Sequence, residues 1–192
     1  CLVGAMAFCF SDSFWYSAVE SEVYAMSSLC TAIVFWAILK WEVRADEEGS
    51  DRWLVFIAFV MGLSIGVHLL NLLAIPAIAM VVYFKRTSKI NLKGVLTAFL
   101  LGLLVLAAIL WGVIQWLIAF ASKIDLLFVN SLGLGVGAGI LFLCILIGGT
   151  IIYGLFYSHR NRKYTLNTAL LAFCFILFGY SSYTMVLIRG KA

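Results

Sequence analysis

The side chains able to do chemistry are gathered in two short stretches of an otherwise apolar chain. The first reads Phe10-Ser-Asp-Ser-Phe-Trp-Tyr-Ser-Ala-Val-Glu-Ser-Glu-Val-Tyr24 and places Asp12, Glu20 and Glu22 within eleven residues, beside the aromatics Trp15 and Tyr24. The second is His68 with Asn71, three residues further on. Carboxylates and imidazoles exchange protons in acid–base catalysis. At a membrane boundary such groups are costly unless paired or solvated, which makes each a functional candidate. Glu22 fits that case, because it lies close to an apolar run and has no capping duty. Glu20 has two readings. Ser17-Ala-Val-Glu20 matches the Ser-x-x-Glu capping box, and a carboxylate in a first helical turn also suits the macrodipole. Yet Glu20 is equally placed to line a cavity. His68 and Asn71 sit at i and i+3, a spacing that puts two residues on one helix face. Trp15 is the aromatic that could stack on a substrate.

The elements that hold these residues must be membrane helices. Of 192 residues 65% are apolar and 11% charged, with a mean hydropathy of +1.11 and a single proline. A soluble domain carries about 25% charged residues, so this composition cannot build a water-exposed surface. The apolar runs are also far longer than the alternating segments of a membrane barrel, which are about ten residues each. They cover Val23 to Ala37, Trp53 to Phe84, Val95 to Ala121, Ser131 to Tyr157 and Leu166 to Ile188, after a partial run at the start. The expected fold is therefore all-α, a polytopic transmembrane helical bundle in one domain.

The run Trp53–Phe84 is long for one span of roughly 20 residues and short for two. The excess of Lys and Arg in cytoplasmic loops decides between them. A hairpin turning near His68 puts Lys40, Arg44, Arg52, Lys85, Arg86, Lys89, Lys93, Arg160, Arg162 and Lys163 on one side against Lys123, Arg189 and Lys191. A single span would divide the same thirteen residues almost evenly, so the hairpin is expected. Six full spans then follow a partial N-terminal one. Cytoplasmic loops fall near 41–52, 85–93 and 158–164, and outer segments near 11–22, the His68 turn and 122–130. Asp12, Glu20, Glu22 and Asp125 all lie on the outer side.

Other features read as structural. Cys1, Cys9, Cys30, Cys144 and Cys174 lack ligand spacing and read as small buried hydrophobes, not disulfides or metal ligands. Trp41 and Trp53 read as inner interfacial anchors, Trp15, Trp111 and Trp116 as outer ones. Gly133, Gly135, Gly137 and Gly139 form two overlapping GxxxG spacings and suggest close helix packing. Gly62, Gly66 and Pro76 suggest tight packing and a bend beside the turn. The acidic loop at 46–51 reads as a solvated connector pairing weakly with Arg44 and Arg52. Cys1 opens straight into an apolar run, so the chain reads as an internal piece of a longer one; a lipoprotein anchored through Cys1 is the other reading of that terminus.

The run Phe10 to Ser28, the block Phe35-Trp-Ala-Ile-Leu-Lys-Trp-Glu42 and the block Gly62-Leu-Ser-Ile-Gly-Val-His-Leu-Leu-Asn-Leu-Leu-Ala-Ile-Pro76 together resemble a bacterial membrane protein family common in Bacteroidetes. Its eukaryotic relatives are protein O-mannosyltransferases. The resemblance covers residues 10 to 76. It implies a GT-C-like architecture in the bacterial cytoplasmic membrane, a polyprenyl-phosphate-linked sugar as donor, and a protein or glycan acceptor on the extracytoplasmic face, with membrane lipids as neighbours and no nucleic acid. It also implies a catalytic acid in an outer loop upstream of Cys1, so that residues 1–192 alone are not expected to turn over. Asp12, Trp15, Glu20, Glu22, Tyr24, His68 and Asn71 are then candidates for lining the donor or acceptor cavity. Sugar transfer needs a carboxylate for the acceptor proton and a cation or dipoles for the departing phosphate. Lys123 and Arg189 are the few outer cations, so the phosphate site is completed by sequence outside this chain or by a divalent metal; no metal ligands are assigned. Two other classes remain, a transporter or channel piece with a polar outer vestibule and a structural membrane subunit. The spans hold no chain of charges for an ion relay.

Overall fold

The computed structural model describes residues 2–19 and 23–189, with side chains to residue 181. Glu20 and Glu22 lie outside the described residues. Among the described residues the fold is all-α, a polytopic bundle without strands. A short pair, α1 (Leu2–Cys9) and α2 (Asp12–Val19), is bent by 56° and precedes α3 (Tyr24–Arg44). Then come α4 (Arg52–Ile65), a 3₁₀ turn (Leu69–Leu73) and α5 (Ala74–Arg86). α6 (Leu92–Ala107) runs through a π-helical stretch (Ala108–Trp116) into α7 (Leu117–Leu132), and α8 (Ala138–Arg160) and α9 (Tyr164–Arg189) complete the chain. Among the described residues five helical stretches are long and apolar enough to cross a membrane, or six with the bent N-terminal pair. Of the six spans expected after the partial one, five are matched by stretches of that length among the described residues. α4, however, has 14 residues, about 21 Å at 1.5 Å per residue, shorter than the hydrocarbon layer of about 30 Å.

The hairpin is present. Arg86 Nη2, at the end of α5, donates to Asp51 Oδ1 at the start of α4 across 3.3 Å, although 35 residues separate them in sequence. One continuous helix would hold those residues about 50 Å apart. Thr168 Oγ1, on α9, donates to the other Asp51 oxygen at 2.9 Å. Asp51 therefore ties together the segments that begin or end at 45–51, 87–91 and 161–163, and the three basic loops share one end of the bundle. The acidic loop finds its partners across the fold, since Asp46 pairs with Lys85 at 3.3 Å and Asp51 with Arg86. The expected pairing with Arg44 and Arg52 is replaced by partners that sequence neighbours cannot reveal.

Packing within the bundle follows small residues. α4 and α9 run parallel, with Asp51 against Thr168, Phe59 against Phe175 and Gly62 against Gly179. A Cβ built on Gly62 would sit 2.6 Å from the Ile176 carbonyl oxygen, so glycine is what lets the two backbones approach. α5 and α6 pack antiparallel, with Gly102 against Pro76, which occupies the first turn of α5 where a missing N–H costs nothing. α3 lies behind both pairs, and its Val34, Ala37, Ile38 and Trp41 are in the core. Between α4/α9 and α5/α6 runs a cleft of about 770 Å³, apolar along Ile57, Met61, Ile78 and Val82, with Asp51 and Arg86 among its lining residues at the loop end.

Four local expectations are corrected. Segment 122–130 is not a loop but part of helix 92–132, because no Gly or Pro interrupts residues 113–132. Forty-one residues make about 60 Å of helix, twice what a span needs. The GxxxG segment is not a helix face: Gly133 and Gly137 adopt φ of +62° and +93° and shape the turn between α7 and α8, and only Gly139 packs closely, against the Asp125 backbone. Trp41 is no interfacial anchor but fully buried, with the Arg86 guanidinium 5.6 Å above its ring. Of the described cysteines only Cys30 is buried; Cys9 and Cys144 are exposed on apolar helix surfaces, since a face turned to lipid needs apolarity without needing protein cover.

Candidate functional site

His68 and Asn71 lie where α4 gives way to α5, at the end of the bundle opposite the basic loops. α4 stops at Gly66, whose N–H turns back to Leu63 and Ser64 carbonyls, and His68 follows in an extended conformation, φ −161° and ψ 138°. It is the N-cap of the 3₁₀ turn: its Nδ1 accepts the Leu70 N–H at 3.1 Å. The expected helical i, i+3 pairing of His68 and Asn71 is thereby broken, because His68 stands outside the turn that Asn71 belongs to. Asn71 is buried and directed inward, where its Nδ2 donates to Ser64 Oγ at 2.9 Å and Ser64 Oγ donates to the Met61 carbonyl at 2.9 Å. The Asn71 Oδ1 is buried without a partner. The pair has split into a half-buried histidine and an internal amide that fastens the turn to α4.

Tyr24, the first residue of α3, meets His68 with ring centroids 5.5 Å apart and planes tilted by 42°. Residues 44 apart in sequence are thus brought together. Asp12 and Trp15 are both exposed on α2, Asp12 in its first turn, and no described contact joins either to His68. Ser17 does not stand at a helix start, and Glu20, its expected capping-box partner, lies outside the described residues. Ser17 lies inside α2 and its hydroxyl donates to the Ser13 carbonyl at 3.0 Å, while α3 starts after Val23 without a side-chain cap. Glu20 and Glu22 fall between α2 and α3, outside the described residues, so the contact between Tyr24 and His68 is what the described residues show of the expected set on this side.

The strongest polar constellation that sequence reasoning missed is Asp125. It is buried on α7 and accepts N–H groups from Gly137 (3.0 and 3.1 Å to its two oxygens) and Gly139 (2.9 Å). A carboxylate there satisfies free amides at the start of α8. An outer-side acid shortly before the glycine-rich stretch Gly133 to Gly139 was the available signal. The described residues hold no cluster of three His, Cys, Asp or Glu side chains able to bind a metal ion. Lys123, one of the expected phosphate cations, lines a separate open groove of about 440 Å³ with Trp116 and Phe120.

No curated protein and no solved structure matches the chain. Residues 1–91, from the bent N-terminal pair through α5 and the Tyr24–His68 contact, match the family model described as the protein O-mannosyl-transferase TMEM260 N-terminal domain, which supports a relationship to the protein O-mannosyltransferases and a glycosyltransferase-like membrane protein.

Proposed function

We propose that this protein forms part of a GT-C-type membrane glycosyltransferase, which moves a sugar from a polyprenyl-phosphate donor to an acceptor hydroxyl, such as a protein Ser or Thr, on the extracytoplasmic face of a bacterial cytoplasmic membrane. The observation that carries the reading is the family match over residues 1–91. It is supported by the polarity of the bundle: ten basic residues lie toward one end and Tyr24 with His68 toward the other. By the positive-inside rule the basic end is cytoplasmic, so the His68 end faces outward, where lipid-linked sugars are used in this mechanism. Chemically the acceptor oxygen attacks the anomeric carbon, its proton passes to a carboxylate, and the phosphate leaves with the bonding electron pair. The family resemblance assigns the principal acid to an outer loop preceding this segment. Asp12, Trp15, Glu20, Glu22, Tyr24, His68 and Asn71 are the proposed cavity set, with Asn71 acting from inside the turn.

The test is Glu22→Gln in the whole protein, reconstituted in nanodiscs and assayed with a radiolabelled polyprenyl-phosphate mannose. Transfer is expected to fall by about tenfold or more, equivalent to about 1.4 kcal/mol of barrier, while the thermal unfolding midpoint stays put. Equal loss of activity and stability would assign Glu22 a structural role, and absence of transfer by the parent protein would overturn the reading.

A further inference from the structure

The imidazole of His68 is held by two contacts of different kinds. Its Nδ1 accepts the Leu70 amide at 3.1 Å, and its ring lies 5.5 Å from that of Tyr24. A ring nitrogen that accepts an N–H presents a lone pair and carries no proton. In the neutral imidazole the single proton then resides on Nε2. Protonating Nδ1 would set one N–H against another and release the cap of the 3₁₀ turn. Among the described residues Nε2 has no protein partner, whereas Asn71 and Ser64 spend hydrogen bonds on one another and on the Met61 carbonyl. The hairpin from Trp53 to Phe84 contains no Lys or Arg, so His68 Nε2–H is the side-chain donor it offers at its turn to an incoming anion.

We propose that His68 acts as a fixed hydrogen-bond donor, directing Nε2–H at a phosphate oxygen of the lipid-linked sugar, and is not the base of the reaction. The role rests on the sugar-transfer reading above. As the bond between the anomeric carbon and the phosphate oxygen breaks, the electron pair goes to the phosphate, and a donor already in place stabilises the growing charge without itself losing its proton. The new bond forms between the acceptor oxygen and the anomeric carbon, and the acceptor's proton goes to a carboxylate. A neutral donor suits a site at the membrane boundary, since it brings no charge that must be solvated when the cavity is empty.

The experiment uses the whole protein, labelled with ¹⁵N-histidine and reconstituted in nanodiscs. Residues 1–192 contain two histidines, His68 and His159, and the His68 signals are assigned by their loss in His68→Asn. At neutral pH the expected spectrum is that of the Nε2–H tautomer, and addition of a short-chain polyprenyl-phosphate mannose shifts the Nε2 resonance. Two variants separate the donor from the cap. His68→Asn retains an oxygen where Nδ1 accepts the Leu70 amide but has no donor at the ε position, so kcat falls about 10²-fold, the usual cost of removing one such donor, with little change in thermal midpoint. His68→Gln restores a donor near the ε position and loses the cap, so it keeps more activity than His68→Asn while melting earlier. An Nδ1–H tautomer, an imidazolium at neutral pH, or full activity in His68→Asn would overturn the donor role while leaving the sugar-transfer reading standing. A parent protein that transfers no sugar would instead overturn that reading and this role with it, whatever tautomer the spectrum shows.

Discussion

At the scale of single residues, the polar groups of this protein act mainly by closing the backbone's open hydrogen bonds. His68 caps the 3₁₀ turn, and Asp125 takes the free amides of Gly137 and Gly139 at the start of α8. A buried donor left unpaired is costly, and Asp125 meets that need at the buried Gly139 amide, whereas the Leu70 amide that His68 accepts is exposed. Asp125→Ala is expected to destabilise the α7–α8 turn by about 1–3 kcal/mol, the cost of leaving buried donors unsatisfied. Asp125→Asn, which keeps one acceptor oxygen, should lose less. Unfolding in a denaturing detergent titration would measure both, and an Asp125→Ala variant as stable as the parent would remove this carboxylate from the account. Asp125 was legible as an acid on the outer side, but its partners were not, because a capping residue normally sits one to three positions before the amides it serves and this one sits twelve and fourteen before.

Helices were legible where hydropathy was uniform and misjudged where charge was taken as a sign of a loop. Lys123 and Asp125 lie within α7 because twenty residues without Gly or Pro sustain the helix regardless of two charges. Conversely, Gly133, Gly135 and Gly137, the first three of four glycines at GxxxG spacing, formed a turn, since positive φ at Gly133 and Gly137 is incompatible with a continuous helix. Glycine does provide close contact elsewhere, as at Gly62 and Gly179, where α4 packs on α9. Gly62→Ala would force its methyl against the Ile176 carbonyl oxygen, so the helices must separate at a cost of about 1–3 kcal/mol. Gly112→Ala, which meets nothing within 4 Å, should be neutral or slightly stabilising, as alanine favours helix. Comparable thermal midpoints for the two variants would refute close packing of α4 on α9.

For the molecule as a whole, the consequence of the hairpin is a two-ended bundle, with basic loops joined through Asp51 at one end and the Tyr24–His68 contact at the other. Ser88 and Asn161 are exposed in loops of the basic end, and Val136 is 89% exposed at the turn between α7 and α8. Single cysteines at these positions, in a background without Cys1, Cys9, Cys30, Cys144 and Cys174, should divide in intact cells. An impermeant thiol reagent is expected to label Val136→Cys and to spare Ser88→Cys and Asn161→Cys. Ser158, though in the same region, is a poor probe because it is buried and bonded to Asn167. Labelling of Ser88→Cys with protection of Val136→Cys would invert the bundle and place His68 on the cytoplasmic side.

The amino-acid sequence alone determined the class, the positions of most helices and the hairpin at His68, because these depend on quantities summed along the chain: apolar run length and the balance of Lys and Arg between loops. It did not determine which polar groups meet. Asp51 finds Arg86 and Thr168 at separations of 35 and 117 residues, and no local periodicity encodes such contacts. Nor could it say which apolar faces are buried in protein, as for Trp41, and which are left uncovered, as for Cys144. In a membrane the surface toward lipid is as apolar as the core, so hydropathy marks the span without marking its inward face. His68 and Asn71 show the same division at the proposed site: their three-residue spacing placed both at one turn, and only the packed turn sent the amide inward to Ser64 and left the imidazole beside Tyr24.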